Sequence, residues 1–256
     1  MPQRWKKIIM RVFWPLMPGW PDEGRRIVQW PHLRALMARA QAQSPRFQRI
    51  FNAGAGEGGY SRWLLEMPGL KWLVETDFDW RSNTHSRFDP RQLLFCASLV
   101  SIPAQDENFD LVLCTEVLEH IREHDQALDE IARVLAPGGW LLITVPTPPA
   151  VPDSNHVREG YRPEELSAML SARGFEVVDQ RFCMYFFFRW LLRNWPRLAY
   201  CPRILIRSLA LLDCYFHIGP PMDLMILARL MKPHRAGRDA GRKAHPDDLV
   251  SAPEPV

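Results

Sequence analysis

Residues Arg49–Tyr60 have the sequence RIFNAGAGEGGY, and the predicted fold of the chain follows from this stretch. Apolar residues before the glycines predict a short buried strand, and apolar residues at helical spacing after them predict a helix. Glycine lets the intervening turn adopt φ > 0 and lets the backbone approach a ligand with no Cβ in the way. A strand, a glycine turn and a helix form the phosphate- or nucleotide-binding unit of doubly wound α/β folds.

The glycine loop alone allows two interpretations. Gly54, Gly56 and Gly59 fit the dinucleotide-binding pattern G-x-G-x-x-G, and Gly58 stands at the next alternate position. The alternative is a glycine turn that binds no ligand. The rest of the sequence is needed to distinguish these two interpretations.

Six further apolar segments predict strands. They are KWLVETD (71–77), QLLFCAS (92–98), FDLVLC (109–114), WLLITVP (140–146), FEVVDQRF (175–182) and DLMILARL (223–230). Strands alternate with helical segments up to residue 145, which implies a parallel, right-handed sheet. The glycine loop, Asp77, Ser98 and Thr115 then follow the carboxyl ends of strands, where open α/β sheets bind ligands.

The helical segments and one acidic side chain complete this pattern. Helical spacing predicts helices near 31–43, over 125–135 and from Pro163 towards Gly174, and Ala136–Gly139 is predicted to turn the chain. Asp77 lies roughly 20 residues past the glycines, where a carboxylate can accept hydrogen bonds from both hydroxyls of a ribose. The alternative for Asp77 is a solvated acid in a loop.

Composition excludes several classes of function. A net charge of +3 over 256 residues is too small to predict nucleic-acid binding. The five cysteines are scattered, so neither a disulfide framework nor a zinc site is indicated. Reduced cysteines predict a cytoplasmic location. No catalytic metal is expected. The N-terminal apolar run is interrupted by Arg11 and Pro15 and does not resemble a signal peptide.

Three regions are predicted. Residues 1–45 form a basic, aromatic, helical extension, residues 46–231 form the α/β domain, and residues 232–256 are predicted to be disordered. A helical, arginine-rich insertion at about 184–221 separates the sixth and seventh strands.

The segments NAGAGEGG, IPAQDENFDLVLCTEVLEHI and EIARVLAPGGWLLITVP together resemble class I S-adenosylmethionine-dependent methyltransferases, most closely the small-molecule and quinone-pathway group. This resemblance covers about residues 46–182 and resumes at 222–230, and it disfavours a nicotinamide dehydrogenase. It implies a doubly wound, Rossmann-like sheet of seven strands, mostly parallel, with the last strand antiparallel.

The resemblance also implies a cofactor, S-adenosylmethionine, and its binding residues. The methionine part would lie over Gly54, Gly56 and Gly58, and the ribose on Asp77. The adenine would lie between the ends of the second, third and fourth strands, beside Ser98, Leu99 and Thr115.

Two positions depart from the family pattern. Asn52 stands where the family usually has an acid facing the ammonium of the methionine part, so Asn52→Asp is expected to tighten cofactor binding. Ser98 stands where the family often has an aspartate, and its hydroxyl can still accept a bond from the adenine amino group.

Two histidines are candidates for a catalytic base, because imidazole titrates near neutral pH and an oxygen nucleophile benefits from a base. His120 follows the fourth strand in VLEH, and its alternative is a backbone-bonded histidine at a helix start. His156, in the Pro-rich loop 147–162, is the second candidate.

The insertion decides which acceptor is predicted. Six arginines and no acid occur over 181–207, between phenylalanines and tryptophans. The insertion is either a buried lid or a surface that binds an anionic membrane through Arg189, Arg193 and Arg197. The predicted activity is methyl transfer to an oxygen of a hydrophobic or lipid-carried acceptor. The protein is predicted to bind peripherally to the inner face of the membrane. The alternatives are a soluble sugar or polyketide acceptor and an inactive, cofactor-binding interaction module.

Overall fold

A computed structural model describes residues 14–78, 89–151, 153, 155–198 and 200–231 of the chain. Its sheet has seven strands in the order β3-β2-β1-β4-β5-β7-β6. The strands are β1 (Arg49–Ala53), β2 (Trp72–Asp77), β3 (Gln92–Cys96), β4 (Phe109–Thr115), β5 (Leu135–Pro146), β6 (Phe175–Cys183) and β7 (Asp223–Leu230).

The strand directions confirm the predicted fold. Strands β1 to β5 pair in parallel, whereas β7 is antiparallel to both β5 and β6. The central strands β4 and β5 are almost continuously apolar because helices cover both of their faces. The glycine loop, Asp77 and Thr115 all lie at one edge of the sheet, where the parallel strands end.

Helices flank both faces of the sheet. They are α1 (Pro21–Gln43), α2 (Ser61–Leu65), α3 (His124–Val134), α4 (Pro163–Ser171), α5 (Phe186–Asn194) and α6 (Arg203–Tyr215), with short 3-10 helices at Trp14–Leu16, Leu118–His120 and Trp195–Arg197. One apolar core joins α1, α2, α5 and α6 to the sheet, and a second core joins α3 and α4 to the opposite face. Alternate strand residues supply the two cores because successive side chains point to opposite faces.

Two element boundaries differ from the prediction. Helix α1 begins at Pro21, ten residues before the predicted helix near 31–43, because proline is well placed in a first helical turn and Pro31 does not end the helix. The prediction that Ala136–Gly139 turns the chain was wrong. Those residues belong to β5, where the register shifts between the pairs Phe109–Leu135 and Leu111–Trp140.

The segment before α1 and the insertion form one packed layer. The backbone N–H of Arg203 donates to Met17 O at 2.9 Å, and its guanidinium lies 2.9 Å from the Glu23 carboxylate. At Gly24, a Cβ would lie 2.6 Å from the ring of Phe188 and 2.7 Å from Ile206, so this glycine lets α1 approach both insertion helices. The basic residues before Trp14 and the predicted tail 232–256 lie outside the described residues.

No described helix combines the length and the apolar composition that crossing a bilayer requires.

Candidate active site

A cleft of about 1050 Å³ lies at the edge where the parallel strands end. Seven of the residues predicted from the sequence line it, namely Gly54, Gly56, Asp77, Ser98, Leu99, Thr115 and His120. Three predicted residues do not. Gly58 and Asn52 are absent from the lining, and His156 lies beside His120, with ring centroids 4.8 Å apart.

The glycine loop is shaped by three left-handed residues. Gly54, Gly56 and Gly58 have φ of 72°, 52° and 73°, a region that residues with a Cβ rarely adopt. A Cβ at Gly54 would lie 2.2 Å from Val117, so this position serves packing between the loop and the segment after β4. A Cβ at Gly56 would meet no atom within 4 Å, so its bare backbone faces open space in the cleft.

Asp77 links the loop to the neighbouring strand. It is the last residue of β2, and its carboxylate accepts a 2.7 Å hydrogen bond from the backbone N–H of Gly56. Ser98 and Leu99, which follow the end of β3, also line the cleft. The Asp77 carboxylate and the open floor at Gly56 therefore lie together, which fits the ribose and methionine parts of S-adenosylmethionine.

The side chain of Asn52 points away from the cleft lining. Its amide donates to Glu75 Oε1 at 2.6 Å, and the Ser61 hydroxyl donates to the same oxygen at 2.7 Å. The Gln92 amide donates to the other carboxylate oxygen of Glu75. Glu75 is fully buried, and Asn52 Oδ1 has no hydrogen-bond partner among the described residues. The acid nearest to Asn52 is therefore Glu75 of the adjacent strand, and it does not line the cleft.

A buried polar network, not predicted from the sequence, connects α1 to the far end of the cleft. Arg25 Nη1 lies 2.6 Å from Glu116 Oε2, and Thr144 donates to Glu116 Oε1 at 2.8 Å. Gln29 donates to Asp223 at 2.8 Å and accepts a 2.8 Å hydrogen bond from Tyr60. The sequence carried one weak signal for this network. Gln29 is a polar residue among the apolar residues of the buried face of α1.

Electrostatics in this network favour a neutral Asp223 and a charged Arg25. Burial, and then repulsion from Glu116, raises the pKa of Asp223 well above its ordinary value. Burial alone lowers the pKa of Arg25, but Glu116, Asp22 and Asp223 outweigh it, and the net shift is upward. Arg25 therefore remains charged and holds Glu116, whose backbone has a positive φ of 54°, at the end of β4.

The short 3-10 helix Leu118–His120 supplies the reactive groups of the cleft. His120 Nδ1 lies 3.0 Å from the backbone carbonyl of Asn155, so in the neutral ring the proton is on Nδ1 and Nε2 is free to accept. Glu119 is fully buried, and burial, with repulsion from Glu116, raises its pKa to about 9. Burial, with a smaller effect of His120, lowers the pKa of His156.

The comparisons with known proteins agree with this geometry. Residues 51–143 match the family described as "Methyltransferase domain". The chain is 30% identical over 138 residues to a probable S-adenosylmethionine-dependent methyltransferase of Mycolicibacterium smegmatis, covering 51% of this chain and 52% of that protein. It is 30% identical over 122 residues to the demethylmenaquinone methyltransferase of Deinococcus radiodurans, covering 46% and 50%. The chain therefore spans about half the length of these curated relatives.

One solved structure shows the same fold over most of the chain. It is the N-methyltransferase NodS of Bradyrhizobium japonicum in complex with S-adenosyl-L-homocysteine, with a TM-score of 0.52, 17% identity, and coverage of 80% of this chain and 88% of NodS. The matched residues include the end of β1, the glycine loop, Asp77 and the strands β2 to β4. Over residues 51–143 the chain is therefore similar to the methyltransferase domain family, and its fold is that of an S-adenosylmethionine-dependent methyltransferase.

Proposed function

We propose that this protein transfers the methyl group of S-adenosylmethionine to an oxygen of a hydrophobic or lipid-carried small molecule. The observation that carries the proposal is the single cleft shared by the Gly56 floor, Asp77 and His120. One end of this cleft fits a nucleoside, and the other contains a histidine with a free Nε2. A cofactor end beside a proton-accepting end is what methyl transfer to a hydroxyl requires.

The residues of the chain have separate tasks in this reaction. Bound S-adenosylmethionine would supply an electrophilic methyl group, with S-adenosylhomocysteine as the leaving group when the acceptor oxygen bonds to the methyl carbon and the C–S bond breaks. The Gly56 backbone would hold the methionine part of the cofactor, and the Asp77 carboxylate would hold its ribose, so that the methyl group is aligned. His120 Nε2 receives the proton that the acceptor hydroxyl loses. The Arg25–Glu116 pair closes the inner wall and orients polar groups of the acceptor.

The exposed surface of helices α5 and α6 supports a hydrophobic acceptor. Helices α5 and α6 bury one face, which contains Phe188, Leu191 and Ile206, and expose the other. Large exposed apolar residues on this side include Phe186, Trp190, Tyr200, Ile204, Leu205, Leu211, Leu212, Tyr215 and Phe216. Many large exposed apolar side chains on one pair of helices are typical of a protein or membrane interaction site.

The arginines of the insertion indicate which partner this surface binds. Arg181 and Arg203 pair with Asp179 and Glu23. Within the described residues, no carboxylate forms an ion pair with Arg189, Arg193 or Arg197. We therefore propose that this arginine-aromatic surface binds the anionic inner face of a membrane and brings the cleft to a lipid-carried acceptor. The demethylmenaquinone methyltransferase among the relatives is named for an acceptor of this type.

Two measurements test the proposed activity. Calorimetry with S-adenosylhomocysteine measures whether the cleft binds the nucleoside product of the cofactor. Transfer of tritium from methyl-labelled S-adenosylmethionine is then measured into lipid and aqueous fractions of cell extract. Label in the lipid fraction is the expected result. Label only in the aqueous fraction would favour a sugar or polyketide acceptor, and binding without transfer would favour an inactive interaction module.

A further inference from the structure

Three potential metal ligands meet beside the cleft. Glu119, His120 and His156 each offer one ligand atom, and these atoms all lie within 4.8 Å of one another. The 3-10 helix after β4 carries the first two, and the loop after β5 carries the third. The backbone N–H of Val157 donates to Glu119 O at 3.0 Å and fixes this loop against the helix. His120 and His156 are 36 positions apart, so the sequence alone does not show that they meet.

The histidine tautomer suits a metal ligand. The 3.0 Å contact between His120 Nδ1 and Asn155 O places the proton on Nδ1 and leaves the Nε2 lone pair free. A backbone carbonyl behind the second ring nitrogen is a common support for histidines that bind metals. His120 Nε2 lies 3.8 Å from Glu119 Oε1, so its free nitrogen is on the side of the carboxylate. The Asp153 carboxylate lies 3.9 Å from His156 Nε2 and adds negative charge near the second ring.

The carboxylate provides an independent observation. Glu119 is fully buried, and neither of its oxygens has a hydrogen-bond partner among the described residues. A buried polar group without a partner is costly, and such groups are usually hydrogen-bonded or coordinate a metal. Arg25, whose charge acts on Glu119, is paired with Glu116 instead. A cation between Glu119 and the two imidazoles would provide the missing partner.

We propose that Glu119, His120 and His156 bind one divalent transition-metal cation, with at least one coordination position left for a hydroxyl group in the cleft. Two imidazoles and one carboxylate are a ligand set found in catalytic sites that keep an open position. Ligand atoms about 2.1 Å from a tetrahedral metal lie roughly 3.4 Å apart. The ligand atoms, which now lie within 4.8 Å of one another, must therefore approach by up to about 1.4 Å. Rotation of the partly exposed His120 and His156 side chains would bring them closer.

The consequence for the reaction rests on the proposed function. A coordinated His120 Nε2 no longer accepts a proton. The cation instead lowers the pKa of a bound acceptor hydroxyl, so that the oxygen reaches the methyl group in its more nucleophilic form. The acceptor proton is then released to solvent, and the acceptor class narrows to molecules whose hydroxyl can bind a metal.

The test measures metal binding without cofactor, so that it is independent of the methyltransferase proposal. The full chain is freed of metal with a chelator and titrated with Mn²⁺, and free Mn²⁺ is followed by electron paramagnetic resonance. The expected result is one saturable site, with affinity reduced about tenfold or more in Glu119→Gln and in His156→Ala. His124→Ala is the matched control, because His124 lies outside the cluster and contacts Arg158. Its Mn²⁺ affinity should equal that of the unchanged protein.

Thermal melts of each variant separate folding defects from loss of a ligand, and Co²⁺ absorption spectra report imidazole ligation directly. Absence of a saturable Mn²⁺ site in a folded protein would overturn the proposal. So would equal affinity in Glu119→Gln, His156→Ala and the His124→Ala control. Calorimetry with S-adenosylhomocysteine on the same metal-free sample shows separately whether the cofactor site is intact.

Discussion

Asn52 and Glu75 are register partners on β1 and β2, and the Asn52 amide donates a 2.6 Å hydrogen bond to the buried Glu75 carboxylate. At this register position the chain has an amide on the first strand and a buried acid on the second. The Ser61 hydroxyl and the Gln92 amide complete its hydrogen bonds. The pair therefore ties the base of the glycine loop to the neighbouring strands.

This pairing reverses the effect expected for Asn52→Asp. The new carboxylate would face Glu75 in a buried site, so one of the two acids must bind a proton and its pKa rises. We expect a loss of stability on the order of 1–3 kcal/mol and no tightening of S-adenosylhomocysteine binding. Because a raised acid pKa favours the folded state at low pH, the loss should grow as pH rises through that pKa. Urea unfolding at several pH values measures it, and Asn52→Asp combined with Glu75→Gln should recover most of the stability.

Gly56→Val should abolish binding of S-adenosylhomocysteine. The valine side chain would occupy open cleft space and would also strain a residue with φ of 52°. Gly219→Val is the matched control, since Gly219 has φ of 81° and equally open surroundings but lies outside the cleft lining. Calorimetry should show at least a tenfold loss for Gly56→Val alone. Equal affinities in the two variants would contradict the placement of the cofactor.

His120→Ala should lower turnover by about a hundredfold or more and leave S-adenosylhomocysteine affinity nearly unchanged. The reason is that His120 lies at the acceptor end of the cleft, away from Asp77. Steady-state kinetics before and after chelation of metal then separates its two roles. A simple base predicts that chelated enzyme keeps its turnover, whereas a metal ligand predicts that turnover is lost and returns with Mn²⁺. Near-normal turnover in the variant would leave His120 only a structural role.

Asp213→Ala should destabilise the insertion by roughly 2–3 kcal/mol. The buried Asp213 carboxylate of α6 accepts hydrogen bonds from the backbone N–H groups of Tyr185, Phe187 and Phe188 and so caps α5. Without it, these donors at the helix start lose their partner. Asp179→Ala, which removes the ion pairs with the exposed Arg39 and the partly exposed Arg181, should cost about 1 kcal/mol or less. Chemical unfolding compares the two variants.

Exchange of Arg189, Arg193 and Arg197 for Gln should weaken binding to vesicles that contain anionic lipid. Each basic residue near such a surface contributes roughly 1 kcal/mol, and raised salt should release part of the protein. Exchange of the exposed Arg34, Arg46 and Arg62 removes the same charge elsewhere and should have a smaller effect. Co-sedimentation measures both triple variants. Equal recovery in the supernatant with and without anionic vesicles, at low salt, would contradict the membrane proposal.

The sequence was sufficient where the signal is local. DLMILARL at 223–230 matches β7 residue for residue, and the glycine loop and Asp77 lie at the predicted edge of the sheet. Features that depend on strand register, or on contacts between distant segments, could not be predicted from the sequence. The Asn52–Glu75 pair follows from the alignment of β1 with β2, and Arg25 and Gln29 reach the cleft from a helix whose start was not predicted.

The hydrogen bond between Gln29 and Asp223 also determines when the cleft can be completed during synthesis. These residues are 194 positions apart. At ribosomal rates of about 5–20 residues per second, roughly 10–40 s separate their addition to the chain. Strand β7 must then insert between β5 and β6 before Asp223 reaches α1. A nascent chain can therefore assemble the nucleoside end of its cleft well before it can close the wall that faces the acceptor.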